Sequence, residues 1–118
     1  MGNKVLVVDD DSDICGLVST ALKNKGLDVR TAETGGAGLA VFQEFSPDIV
    51  LLDYRLPDMS GSDVAKKIKE SGKASEIITM TGENVSKEDM DKSLYAGWLQ
   101  KPFKLADMVR YVEGHIKK

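Results

Sequence analysis

Three short apolar runs, each ending next to a polar side chain, constrain the fold of this chain more than any other feature. They lie at residues 5–8, 49–52 and 77–80, and only Thr79 interrupts them. Unbroken apolar runs of this length are typical of strands covered on both faces, as in parallel sheets. Weaker strand candidates at residues 28–31 and 98–100 bring the predicted number of strands to five.

Segments with helical spacing alternate with these strands. The first has apolar residues from Ile14 to Leu22 at the spacing of one helix face, and Gly26 is expected to end it. Further helices are predicted at residues 39–45, 64–68, 86–94 and 105–116. This alternation predicts an α/β fold with a parallel sheet between helices, organised as a single domain over residues 1–118.

Composition narrows the functional classes. The formal net charge is −3, which argues against a domain that binds nucleic acid directly. The lone Cys15 cannot form an internal disulfide, so we expect a reducing, cytoplasmic location. The apolar runs are far shorter than the roughly 20 residues that span a bilayer, and no membrane partner is expected.

Polar side chains follow four of the predicted strands at their carboxyl ends. Asp9 and Asp10 follow the first, Asp53 ends the third, Thr81 follows the fourth and Lys101 the fifth. Ligands of open α/β sheets bind outside these ends, so we expect the five side chains to converge on one pocket.

The chemistry of this set points to a cation and a phosphoryl group. Three carboxylates brought together repel one another unless a cation neutralises them, and a donor set of oxygen atoms favours Mg²⁺. The hydroxyl of Thr81 and the ammonium of Lys101 suit phosphoryl oxygens, whose transfer depends on positioning and charge neutralisation. One of the carboxylates could serve as the nucleophile that carries an aspartyl phosphate.

On these residues the chain resembles the receiver domains of response regulators in two-component signalling. Asp9-Asp10 is similar to the acidic pair of that family, Asp53 to its phosphoacceptor and Thr81 to its hydroxyl residue. Lys101-Pro102 is similar to its lysine followed by a cis proline, and residues 52–61 reproduce its loop, with Pro57 and Gly61 in the expected places. The resemblance covers essentially the whole chain.

The resemblance implies a flavodoxin-like, doubly wound (βα)5 fold with strand order 2-1-3-4-5. It implies that Asp10, Asp53 and the backbone carbonyl of Arg55 bind Mg²⁺ directly, and that Asp9 acts largely through water. Thr81 and Lys101 would then hold phosphoryl oxygens. The protein would be no conventional enzyme but a phosphoacceptor that assists its own phosphorylation and dephosphorylation.

The resemblance also implies the partners. The phosphoryl donor would be a sensor histidine kinase or a phosphotransfer protein, and the chain would act as a monomer or a phosphorylation-dependent dimer. Phosphorylation would shift the population of molecules toward an active conformation. An output protein would bind that conformation at the fourth helix, fifth strand and fifth helix. Thr81 and Trp98 would act as the switch residues of this change. Trp98 stands at the position of the family's aromatic switch. We further hypothesise that Arg55 pairs with Glu83 across the site.

Several alternatives stay open at this point. The run Asp9-Asp10-Asp11 could simply cap a helix, and residues 35–38 form a glycine-rich stretch that most resembles a loop entering a helix. Asp9-Asp10-Asp11 also superficially matches a haloacid-dehalogenase-type phosphatase, although Asp13 stands where that family has Thr or Val. A flavodoxin-like electron carrier would lack the acidic first loop. A receiver-like adaptor that works without phosphorylation is the main rival.

Overall fold

A computed structural model describes residues 3–82 and 93–116 of the chain. In chain order its elements are β1 Lys4–Val8, α1 Ser12–Lys23, β2 Asp28–Ala32, α2 Gly35–Phe45, β3 Ile49–Asp53, α3 Gly61–Glu70, β4 Glu76–Thr81, β5 Gly97–Gln100 and α4 Leu105–His115. The five strands form one parallel sheet in the order β2-β1-β3-β4-β5, which confirms the predicted α/β fold and strand order.

The sheet is buried on both faces because its central strands alternate between two apolar cores. Val5 and Val7 of β1 face α1 and α4, whereas Leu6 and Val8 face α2 and α3. All five residues of β3 are buried, with Ile49 to Leu52 essentially without exposed surface. Because both faces of the sheet are buried, the sequences of these strands are unbroken apolar runs.

Helix α1 begins where the sequence predicts a cap. The side chain of Asp11 accepts hydrogen bonds from the backbone N–H groups of Asp13 and Ile14 and so satisfies donors that have no partner inside the helix. Gly26, with φ of +83°, lies just past the end of the helix in a conformation that favours glycine.

Helix α2 differs from its prediction because it starts four residues earlier than expected. The glycine-rich stretch at residues 35–38 forms its first turn instead of an entry loop. Thr34 caps it by accepting a hydrogen bond from Ala37 N–H, and Gly38 lies close to Val8, where a Cβ would come within 2.9 Å of that side chain. These contacts compensate for the low helix propensity of glycine.

The predicted helix at residues 86–94 lies outside the described residues, apart from Ser93 and Leu94, which form a turn. In the part of the chain that the structure describes, no helix is long and apolar enough to cross a membrane.

Candidate functional site

Three carboxylates meet at the carboxyl ends of β1 and β3. Asp9 and Asp10 follow β1 directly and Asp53 is the last residue of β3, two strands that are neighbours in the sheet. One carboxylate oxygen from each lies within 4.8 Å of the other two. This spacing and the all-oxygen donor set fit a hard divalent cation such as Mg²⁺.

The three consecutive aspartates have three different environments. Asp9 is fully buried, and its Oδ1 accepts a hydrogen bond of 2.9 Å from Asp11 N–H. Asp10 is exposed at the mouth of the site, and Asp11 caps α1. The interpretation of this run as a helix cap is therefore right for Asp11. Asp9 and Asp10 belong to the carboxylate cluster.

Lys101 enters the site from the end of β5, at the far side of the sheet. Its Nζ lies 2.7 Å from Asp9 Oδ2 and 3.5 Å from Asp53 Oδ2. Its backbone N–H donates to Thr81 C=O at 2.7 Å, which holds the β5–α4 loop against the end of β4. The Lys101-Pro102 peptide bond is cis, as predicted.

Burial and charge set the protonation of this cluster. Burial, followed by the negative charge of Asp9, raises the pKa of Asp53 to about 6, although the Lys101 ammonium and the Arg55 N–H lower it. Burial lowers the pKa of Lys101, but its hydrogen bond with Asp9 and the charge of Asp53 outweigh that effect, so its pKa is raised overall. Asp53 is thus a carboxylate that gains from a nearby cation.

Thr81, the last residue of β4, is buried. Asp53 pairs with Met80 across the sheet, so Thr81 lies one residue beyond that pair at the same edge. The structure therefore places the side chains predicted from the sequence, Asp9, Asp10, Asp53, Thr81 and Lys101, along one end of four parallel strands.

Arg55 lies in the loop after β3, and its backbone N–H donates to Asp53 Oδ1 at 3.3 Å. Its backbone also bridges to Ser60, which closes the base of the loop. Glu83, the partner hypothesised for the Arg55 side chain, lies outside the described residues.

Trp98 lies in β5 and pairs with Thr79 of β4, with its side chain half-buried. Because paired residues of parallel strands point to the same face, Trp98 is on the face that carries Thr79 and Thr81.

An apolar groove of about 480 Å³ adjoins the site between α1 and the β5–α4 loop. Its walls include Leu17, Phe103 and Leu105, and Lys101 lines the end next to the carboxylates. Leu17 and Leu105 are the large apolar side chains with notable exposure among the described residues, at 56% and 37%.

Asp58 is not among the site residues predicted from the sequence; its carboxylate joins the loop after β3 to the first turn of α2. The glycine pair Gly35-Gly36 was the available signal, because two small residues at a helix start allow another chain segment to approach closely. The Nδ1 of His115 lies 2.9 Å from Glu76 Oε1, and its ring packs on Tyr111.

Comparison with known proteins agrees with this geometry. The family model described as response regulator receiver domain matches residues 5–113. A probable transcriptional regulatory protein, TcrX of Mycobacterium tuberculosis, is 36% identical over 97% of this chain and 50% of its own length. The DNA-binding response regulator MtrA of Mycolicibacterium paratuberculosis is 31% identical over 100% of this chain and 53% of its own.

Solved structures show the same fold. The chemotaxis response regulator CheY4 of Vibrio cholerae is 28% identical, covers 98% of this chain and 100% of its own, and superposes with a TM-score of 0.90. The receiver domain of a putative LuxO repressor from Vibrio parahaemolyticus is 25% identical, covers 98% of this chain and 90% of its own, and has a TM-score of 0.89.

The relatives correct one expectation. The chain spans about half the length of the curated relatives it matches, and MtrA is named as a DNA-binding protein. The expectation that nucleic acid is no direct partner conflicts with these relatives. Its basis was the charge of these 118 residues, which describes this stretch of sequence alone.

Proposed function

This chain belongs to the response regulator receiver domain family, and we propose that it accepts a phosphoryl group on Asp53 with Mg²⁺ and signals by changing its binding surface. The observation that carries the proposal is the cluster of Asp9, Asp10 and Asp53 with the Lys101 ammonium against two of its carboxylates. A cation site and a phosphoryl-binding cation at one nucleophilic carboxylate are what aspartyl phosphorylation needs.

Asp53 is the candidate nucleophile because its carboxylate is largely buried but still partly exposed to solvent. Its side chain is 13% exposed, whereas that of Asp9 has no exposed surface and is tied to Lys101. Asp10 is exposed and has room for a hydrated cation. We propose that Asp10, Asp53 and the Arg55 carbonyl hold Mg²⁺, with Asp9 acting through water. When bound, the ion would supply positive charge that neutralises the carboxylates and the phosphoryl oxygens.

In the transfer, a carboxylate oxygen of Asp53 attacks phosphorus and forms a new O–P bond. The bond from phosphorus to the donor breaks, and its electron pair leaves with the donor; for a phosphohistidine this is the P–N bond, and the imidazole nitrogen keeps the pair. Lys101, released in part from Asp53, binds a phosphoryl oxygen, and the Thr81 hydroxyl donates to another. The chain thereby assists its own phosphorylation. In dephosphorylation, water attacks the same phosphorus and loses a proton to solvent, the bond to the Asp53 oxygen breaks with its electron pair left on the carboxylate, and inorganic phosphate leaves.

The donor we propose is a sensor histidine kinase or a phosphotransfer protein. The apolar groove that ends at Lys101 supports a protein donor, because exposed Leu17 and Leu105 would lose contact with water when covered. The output partner would bind a surface formed by β5, the last helix and the helix predicted at residues 86–94.

The test is intact mass and peptide mapping after incubation with acetyl phosphate and Mg²⁺. We expect one added phosphoryl group on Asp53, lost in Asp53→Asn and in the presence of a chelator, and retained in the matched variant Asp48→Asn, which lies just before the amino end of β3. A label on Asp9 would instead support a haloacid-dehalogenase-type phosphatase. No label in a folded protein that binds Mg²⁺ would overturn the proposal in favour of a phosphorylation-independent adaptor.

A further inference from the structure

The loop between β3 and α3, residues 54–60, is fastened at its tip to a different helix. Asp58 Oδ1 accepts a hydrogen bond of 2.8 Å from Gly35 N–H, and Asp58 Oδ2 accepts one of 2.9 Å from Gly36 N–H. Both donors belong to the first turn of α2, where backbone N–H groups have no partner inside the helix. A carboxylate there is also favoured by the helix dipole.

Sequence and packing are matched at this contact. A Cβ on Gly35 would lie 2.4 Å from Met59 Cγ and 2.7 Å from Met59 Sδ, so only glycine allows Met59 to lie against the helix start without a shift. A Cβ on Gly36 would lie 3.4 Å from Asp58 Oδ2. Gly35 therefore makes room for Met59, whereas a Cβ on Gly36 would make only ordinary contact with Asp58; the first glycine of the stretch thus has a physical role in this contact.

The base of the same loop forms part of the candidate site. Arg55 N–H donates to Asp53 Oδ1, and the backbone bridge between Arg55 and Ser60 closes the loop. Gly61 N–H then donates to Tyr54 C=O at 3.0 Å. Because the loop is short and closed at its base, holding its tip restricts how far the Arg55 peptide groups can turn.

Asp58 itself is exposed, and its surroundings favour the charged form. Hydrogen bonds from Gly36 and Gly35 N–H hold the pKa of its carboxyl below the ordinary value. The contact is therefore made by an ionised carboxylate at neutral pH, without any burial of apolar surface by that side chain.

We propose that Asp58 is a positioning residue for the phosphoryl site: by fastening loop 54–60 to the start of α2, it holds the Arg55 peptide and the Asp53 carboxylate in the orientation that binds Mg²⁺. This inference rests on the proposed function for its purpose, since it assigns the loop to the metal site. It adds a second anchor, 22 to 23 residues away in sequence, to a site otherwise built from strand ends.

The test is calorimetric titration with Mg²⁺ alone at about 0.15 M ionic strength, where exposed charges more than about 8 Å apart are largely screened. The proteins are wild type, Asp58→Asn and Asp58→Ala, with Asp48→Ala as the matched control. Asp48 also accepts a hydrogen bond from a distant backbone group, Lys4 N–H at 3.0 Å, but just before the amino end of β3, at the opposite end of that strand from Asp53.

We expect Asp58→Ala to weaken Mg²⁺ binding by about threefold to tenfold, less than the roughly tenfold to hundredfold typical of direct partners of metal ligands. Asp58→Asn should lie between wild type and Asp58→Ala. Both variants remove the same charge, so the difference between them reports the acceptor that Asn retains. Amide hydrogen exchange at Gly35 and Gly36 should accelerate in the same order.

An affinity for Mg²⁺ in Asp58→Ala equal to that in Asp48→Ala would overturn the inference, as would equal losses in Asp58→Asn and Asp58→Ala. Failure of the proposed function gives a different pattern, in which wild type binds Mg²⁺ but acquires no label on Asp53. The calorimetric comparison needs no phosphorylation and still tests the positioning role in that case.

Discussion

The Nζ of Lys101 lies 2.7 Å from Oδ2 of Asp9, a carboxylate without exposed surface. The two residues are 92 positions apart in sequence, and their contact joins the end of β5 to the end of β1 across the intervening strands. The same ammonium lies 3.5 Å from Asp53 Oδ2. The Lys101 ammonium therefore lies where a metal ion and a phosphoryl group would also have to bind.

Replacing Lys101 should have opposite effects on stability and on metal binding. Lys101→Met leaves the buried Asp9 carboxylate without its partner, and we expect a loss of about 1–3 kcal/mol in the unfolding free energy of the metal-free protein; this is less than for a fully buried pair because Lys101 is 23% exposed. Removing a positive charge next to the carboxylates should tighten Mg²⁺ binding by at least about threefold. Urea unfolding with a chelator and calorimetry at pH 8 measure the two effects. Weaker Mg²⁺ binding in the variant would contradict this electrostatic account.

The charge on Asp53 should destabilise the metal-free protein near neutral pH. Burial and the Asp9 charge raise its pKa from 3.8 to about 6, so the native state takes up a proton at higher pH than the unfolded chain does. This group's penalty is therefore fully present above pH 6 and disappears as the pH falls from about 6 to about 4. Asp53→Asn should exceed wild type in unfolding free energy by up to about 3 kcal/mol at pH 7.5, and the two should converge near pH 4.

Urea unfolding of both proteins in chelator across that pH range measures the difference. A difference that does not vary with pH would rule out the titration of Asp53 as its cause. Saturating Mg²⁺ should reduce the difference at pH 7.5, because the cation offsets the repulsion that the Asn side chain avoids.

Trp98 should report phosphorylation by its fluorescence, and it is the sole tryptophan of the chain. It pairs with Thr79 on the face of the sheet that also carries Thr81, so a movement of Thr81 toward a phosphoryl oxygen would change its surroundings. We expect acetyl phosphate with Mg²⁺ to change the emission of wild type and to leave Asp53→Asn unchanged. Thr81→Ala should be labelled yet show a smaller change. The same change in Asp53→Asn would trace the signal to the reagents instead of to phosphorylation.

Gly61 should tolerate no side chain. A Cβ there would lie 2.3 Å from the backbone oxygen of Asp53 and 2.9 Å from that of Tyr54, and neither can move without shifting the end of β3. We expect Gly61→Ala to destabilise the fold by about 1–3 kcal/mol and to slow labelling of Asp53. The matched variant is Gly16→Ala in α1, where nothing lies within 4 Å of the added carbon. It should stabilise the fold by about 0.5–1 kcal/mol. Equal unfolding midpoints for the two variants would refute the steric argument.

Much of the fold could be predicted because its signals are local. The apolar runs at residues 5–8, 49–52 and 77–80 are strands because both faces of the sheet are covered, and all three extend by one or two residues in the structure. The start of α2 could not be predicted in this way, because glycines favour loops by intrinsic propensity. Its first turn depends on Thr34 within the segment and on Asp58 from a loop 22 to 23 residues away.

Local sequence signals suffice to place Asp9, Asp10, Asp53, Thr81 and Lys101 at strand ends, because strand boundaries follow from local apolarity and the carboxyl ends of parallel strands lie together. The separate roles within Asp9-Asp10-Asp11 depend on tertiary packing, since three identical neighbours cannot be distinguished by local sequence. Asp9 turns inward to Lys101, Asp10 faces the opening and Asp11 caps α1. Those differences arise from how β5 and α1 pack around the end of β1. Contacts between distant segments produce no periodic pattern in the sequence.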